Sequence, residues 1–200
     1  QGVSSAASDV YKRQGYIGLF EGIGKGGSVG NVNMAGGHIE GTSNFGSIAG
    51  LNWGTIYNIV NSAELVCSSG GVGGIVGTNG GVIRNAVNNG TLKIDGRSGG
   101  ITGYNGDTVW GNTGILLDVK NNGDITSESM GGIGGITGIN SSGSSITGAE
   151  NTGLVELKDG GGSEVGGISG DNDGLIENVK NSGNIKGHIY STCLLYTSPS

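Results

Sequence analysis

The side chains able to do chemistry are few and scattered. Asp171, Asp173 and Glu177 form the densest acidic group. Carboxylates grouped in that way serve a polysaccharide hydrolase or lyase, or hold a calcium ion. A catalytic role predicts that all three converge in one groove. The same Asp-Asn-Asp-Gly run also suits a plain turn, because short polar side chains bond to their own backbone there. His38 and His188 lie far apart, and no His-Glu-x-x-His stretch is present to hold a catalytic zinc. Cys67 has no histidine near it in sequence and reads as a small apolar residue rather than a nucleophile. The Gly-Gly-x-Gly-x-Asp nonapeptides of calcium-binding β-rolls are missing. These residues imply neither an enzyme nor a bound metal or cofactor.

A recurring phrase supplies the elements that must position everything else. Gly73-Gly74-Ile75-Val76-Gly77-Thr78-Asn79 returns as Gly99–Asn105, Gly134–Asn140 and Gly166–Asn172, and loosely as Gly46–Asn52. Repetition of this kind marks an array in which each unit buries its apolar face against the next. Glycine makes up 47 of the 200 residues, far above the usual ~7%. It does not fall at every third place, as collagen would need. Aligned aliphatic columns set the chain apart from a disordered linker. One column runs Leu19, Ile48, Ile75, Ile101, Ile136, Ile168, and three residues earlier runs Tyr16, Phe45, Val72, Ser98, Ile133, Val165. Further columns pass through Ile83, Ala86 and Leu92. These short, β-branched, glycine-bounded clusters predict about three strands per unit. The fold class expected is all-β: a β-solenoid, a right-handed parallel β-helix of about six coils, the hand following the usual crossover preference.

Asparagines recur with equal regularity. Asn52, Asn79, Asn105, Asn140 and Asn172 close one strand; Asn31, Asn58, Asn85, Asp118 and Asn178 mark a second corner, where Gly148 is the exception. Asn61, Asn88, Asn121, Asn151 and Asn181 mark a third. Asparagine tolerates the left-handed backbone of sharp corners, and stacked amides bond from coil to coil. The reading is a structural ladder rather than a sugar-binding surface. The residue after the phrase isoleucine (Phe20, Ala49, Val76, Thr102, Thr137, Ser169) is expected to point outward as a plain surface of small residues. About seven extra residues between Asn105 and Leu116 are expected to blur the register. Within them Thr108, Val109 and Trp110 are the candidate ligand contact, with Trp110 available either to stack on a sugar ring or a partner protein or to fold back over apolar surface.

Both ends depart from the repeat. Residues 4–14 resemble the translation of a sequencing-library adapter, and residues 193–200 resemble its reverse complement. Codons GAT GTG TAT AAG AGA CAG encode Asp9 to Gln14. Their reverse complement, read one base along, encodes Cys-Leu-Leu-Tyr-Thr-Ser, the residues from Cys193 to Ser198. Residues 1–14 and 193–200 are therefore expected to be technical scars, and 15–192 a single repeat solenoid cut from a larger chain. Setting aside Asp9, Lys12 and Arg13 leaves eight basic and fifteen acidic residues, about −7. That balance, without a Lys/Arg cluster, argues against a nucleic-acid partner. No apolar run approaches the ~18 residues of a membrane helix.

With these motifs in place, the chain resembles the GLUG-type repeats of bacterial surface proteins. Tyr16-Ile17-Gly18-Leu19-Phe20-Glu21-Gly22 is similar to an opening copy, and Val165–Gly170 with Gly174–Asn178 to a full one. The resemblance implies an extracellular, cell-surface setting and a non-enzymatic adhesin or stalk, with a host glycan or surface protein as partner. It also implies an alternative: an accessory spacer of a secreted peptidase or glycan-active enzyme.

Overall fold

A computed structural model describes residues 15–42, 44–106, 111–128, 131–158 and 164–187. They form an all-β parallel solenoid of about five turns, close to the six expected, with no helix among the described residues. Each coil contributes to four sheets rather than to three strands. The first sheet stacks Phe45–Gly46, Val72–Gly73, Ser98–Gly99, Ile133–Gly134 and Val165–Gly166. The second stacks Phe20–Ile23, Ala49–Asn52, Val76–Asn79, Thr102–Asn105, Thr137–Asn140 and Ser169–Asn172. The third includes Ser28–Met34, Thr55–Asn61 and Val82–Asn88, and the fourth runs from His38–Gly41 to Ile185–Lys186. The extra strand arises because the phrase bends at its isoleucine. At that bend the amides of both Ile48 and Ala49 donate to the Ile75 carbonyl of the next coil.

The bend also corrects the orientation expected for the residue after the isoleucine. Ala49, Val76, Thr102 and Thr137 are fully buried, as are Ile48, Ile75, Ile101 and Ile136. Strict in-out alternation holds along a straight strand; a corner between the two residues turns both inward. Thr102 and Thr137 are bonded to each other across coils, Oγ1 to Oγ1 at 3.0 Å. They cannot form an outer face. A second correction concerns the first coil, where Ile17, not Tyr16, pairs with Phe45. Two residues separate Ile17 from Phe20, whereas three separate Phe45 from Ala49, the partner of Phe20, so the column slips by one.

The interior holds two apolar cores. One joins the second and third sheets through Ile48, Ile75, Ile101, Ile56, Ile83 and Leu116. The other joins the first and fourth through Phe45, Val72, Leu65, Leu92 and Ile125. Each fully buried aliphatic side chain contributes about 1.5–3 kcal/mol, so the coils are held mainly by these columns. Ser98 interrupts one of them: it sits between Val72 and Ile133, fully buried, and its hydroxyl has no hydrogen-bond partner. Ser98→Val is expected to raise the unfolding free energy by about 1 kcal/mol, because it removes an unsatisfied polar group and extends the column. Urea denaturation with an unchanged m-value would register the gain; a loss would show that the site has no room for the two methyl groups.

The insertion leaves the register intact. Asn105 pairs with Asn79 before it, and Ile115 with Val82 after it. Gly114 takes the place Gly81 has one coil earlier: its carbonyl accepts from Asn105 as the Gly81 carbonyl accepts from Asn79. The extra residues fall in sequence between Gly106 and Gly114, and the corner bond from Asn105 to Gly114 matches that of the preceding coil.

Candidate functional site

The polar lines dominate the structure. In the first, Nδ2 of Asn52, Asn79, Asn105 and Asn140 donates to Oδ1 of the asparagine in the next coil, at 2.7, 2.9, 2.8 and 2.7 Å, ending on Asn172. In the second, Asn61, Asn88, Asn121 and Asn151 do the same, at 2.7, 2.8, 2.8 and 2.8 Å, ending on Asn181. The eight donors are completely buried. Most of these amides also shape their own corner. Oδ1 of Asn52, Asn61, Asn79 and Asn88 accepts from the backbone amide two residues on, at 3.0 to 3.3 Å. The side chain thus supplies a turn that the backbone does not have to make, and neither line uses left-handed φ.

The remaining corner differs. Asn31, Asn58, Asn85, Asp118 and Asn178 all take φ of 50 to 57°, and Gly148 takes 69° at the same place. Here asparagine is used for its tolerance of the left-handed region. Asn58 donates to Asn31 at 3.0 Å and Asn85 to Asn58 at 3.3 Å, on the surface and in the opposite direction to the buried lines. The line stops short of Asn178: Gly148, one coil before it, has no side chain to bond. Asn178 is therefore a corner residue and not a ladder member. Sequence reading missed another exposed line, in which Asn122 donates to Asn89 and Thr152 to Asn122, both at 2.8 Å. Its signal was the second residue of Asn88-Asn89, Asn121-Asn122 and Asn151-Thr152.

Charged groups pair from coil to coil as well. Lys120 and Lys180 flank Glu150 at 3.0 and 3.3 Å, and Lys186 meets Glu156 at 3.3 Å. Lys93 lies 2.8 Å from Glu64, which also meets His38 at 3.2 Å. The Lys93 ammonium, then the hydrogen bond from His38, holds the Glu64 carboxyl below the ordinary glutamate range. Its folded-state value is lower than its unfolded one. The stabilisation is therefore present above the unfolded pKa and is lost as pH falls through the folded one. An NMR titration is expected to place Glu64 below an ordinary glutamate, and Lys93→Met to return it most of the way. No change in the variant would refute the ion pair.

The residues singled out for chemistry do not assemble. Asp171, Asp173 and Glu177 are all exposed. No group of three or more His, Cys, Asp or Glu among the described residues is placed to hold a metal. Burial pushes the Cys67 thiol pKa up, and Cys67 occupies the same interior column as Ile94 and Leu157. Thr108, Val109 and Trp110 lie outside the described residues, as do His188 and both expected scars. No helix among the described residues is long and apolar enough to cross a membrane. A shallow concavity lies on the N-terminal coil, lined by Tyr16, Leu19, Phe20, Glu21 and Leu51. No family model, no curated protein and no solved structure matches the chain.

Proposed function

We propose that this chain is a non-enzymatic repeat module of a bacterial surface protein, an adhesin or a stalk. One observation carries the reading: the amide and many of the charged side chains are spent on holding coil to coil. The buried amides bond to each other and to their own corners, and Glu64, Glu150 and Glu156 are paired with lysines of adjacent coils. A scaffold of this kind propagates by about 4.8 Å per coil and leaves its outer loops free to vary. The cell-surface setting rests on the resemblance of Val165–Gly170 and Gly174–Asn178 to GLUG-type repeats. Host glycan or a host surface protein is the partner proposed for an adhesin. A glycan array and a panel of immobilised host surface proteins, probed with the intact chain, test this. Saturable binding without turnover is the adhesin outcome, and resistance to mechanical unfolding without binding is the stalk outcome. Cleavage of any polysaccharide or peptide in the panel would overturn the proposal.

A further inference from the structure

The two buried amide lines have a direction. In both, Nδ2 of one coil donates to Oδ1 of the next toward the C-terminus. At the N-terminal coil both lines stop in hydrocarbon: Ile23 pairs with Asn52, and Met34 with Asn61. That ending is inexpensive, since Oδ1 of Asn52 and of Asn61 already accepts from Gly54 and Ala63.

The C-terminal coil ends in the opposite way. Asn172 and Asn181 are exposed, unlike every preceding member. Asn181 makes the corner bond to Gly183 at 2.9 Å but has no forward acceptor among the described residues, unlike Asn151 and Asn121. Asn172 likewise has no forward acceptor among the described residues. The aliphatic columns are uncovered at the same level. Ile168, Ile176, Val179 and Ile185 are only partly buried, and Leu175 is half exposed, while Ile136, Ile146, Ala149 and Val155 one coil earlier are buried.

We infer that the C-terminal coil is a docking face for one further parallel β-coil that carries side-chain amides over both Asn172 and Asn181. The coil-to-coil interface repeats through the described coils, and this face continues it. An amide oxygen at each line accepts the waiting donor, while edge strands Ser169–Asn172 and Lys180–Asn181 supply the backbone ladder. The same feature selects against a second copy of this chain. Head-to-tail stacking would set Ile23 on Asn172 and Met34 on Asn181, sealing two donors against hydrocarbon. The face accepts coils of this type without making the chain a self-propagating fibre. This holds whether the module adheres or only spaces, so a failed glycan array leaves it untouched.

The test uses the intact chain and a synthetic peptide of residues 133–157, which carries Asn140 and Asn151. The peptide is expected to bind and to slow hydrogen exchange at Ser169–Asn172 and Lys180–Asn181. A peptide with N140I and N151M is expected to bind at least tenfold more weakly. In sedimentation, the wild-type chain is expected to stay monomeric, and the I23N/M34N variant to associate with concentration, reversed by adding N172I and N181M. Absence of peptide binding, equal affinity of the two peptides, or protection at Phe20–Ile23 instead would overturn the inference. So would wild-type chains that stack as readily as the variant.

Discussion

Gly73→Ala is expected to lower the unfolding free energy by about 3 kcal/mol, more than most single methyl additions. A Cβ at Gly73 would press on the Val76 carbonyl of its own coil and come within 2.5 Å of the Ile101 carbonyl and the Thr102 Cα of the next. These are backbone atoms fixed in the parallel ladder, so no rotamer change relieves the clash. Nor is conformational freedom at issue, since Gly73 does not take a positive φ. The first sheet and the second pack backbone to backbone at this bend, and only hydrogen fits between them. Gly24→Ala is the matched control. Its Cβ would meet nothing within 4 Å, and the expected change stays within about 0.5 kcal/mol. Chemical denaturation of both variants decides the point. Equal, small effects would mean that the two sheets can move apart, and that the phrase glycines are dispensable.

The glycines show what a sequence reveals and what it hides. Repetition of Gly-Gly-Ile was enough to identify an array, because period and column do not depend on local geometry. The reason for each glycine was not legible. Close approach accounts for Gly73, Gly74 and Gly77, whereas positive φ belongs to others such as Gly70, Gly96 and Gly131. The second position even admits Ser47, whose hydroxyl donates to the Gly74 carbonyl at 2.6 Å. Thr102 was misread for a related reason. A period of two assigns faces along a strand, but the bend at Ile101 resets the count, and nothing in the residue types marks that reset. The asparagine columns were legible as three lines, yet their division of labour was not. Asn58 and Asn88 look alike in sequence; one sits exposed at left-handed φ and the other is buried at the end of a strand. Depth inside the coil separates them, and depth is a property of the closed cross-section rather than of any one segment.

Asn88→Ala is expected to cost about 4 kcal/mol, since several buried groups lose their partners at once and each such loss costs about 1–3 kcal/mol. The Asn88 side chain accepts from Asn61 at 2.7 Å and from the Gly90 amide at 3.2 Å. It donates to Asn121 at 2.8 Å and to the Gly90 carbonyl at 2.9 Å. Truncation therefore breaks the line above and below and opens the corner, with no water-exposed route to replace the bonds. The same change at Asn181, on the exposed last coil, is expected to cost less than about 1 kcal/mol. A position-dependent loss of this kind separates a buried ladder from a helpful corner residue, for which the two variants would match. Asn88→Asp adds a signature that truncation lacks. A carboxylate there can accept but not donate, and it faces Oδ1 of Asn121, so burial raises its folded pKa above the ordinary value near 3.9. The unfolded chain then releases its proton first. Stability of Asn88→Asp is expected to be greatest below about pH 4 and to fall as pH rises toward the folded pKa. Wild type lacks a carboxyl at this position and so lacks that term. Thermal melts across pH 3 to 8, read as the difference between variant and wild type, test the sign. A difference that does not change with pH would place residue 88 in contact with water and refute the buried line.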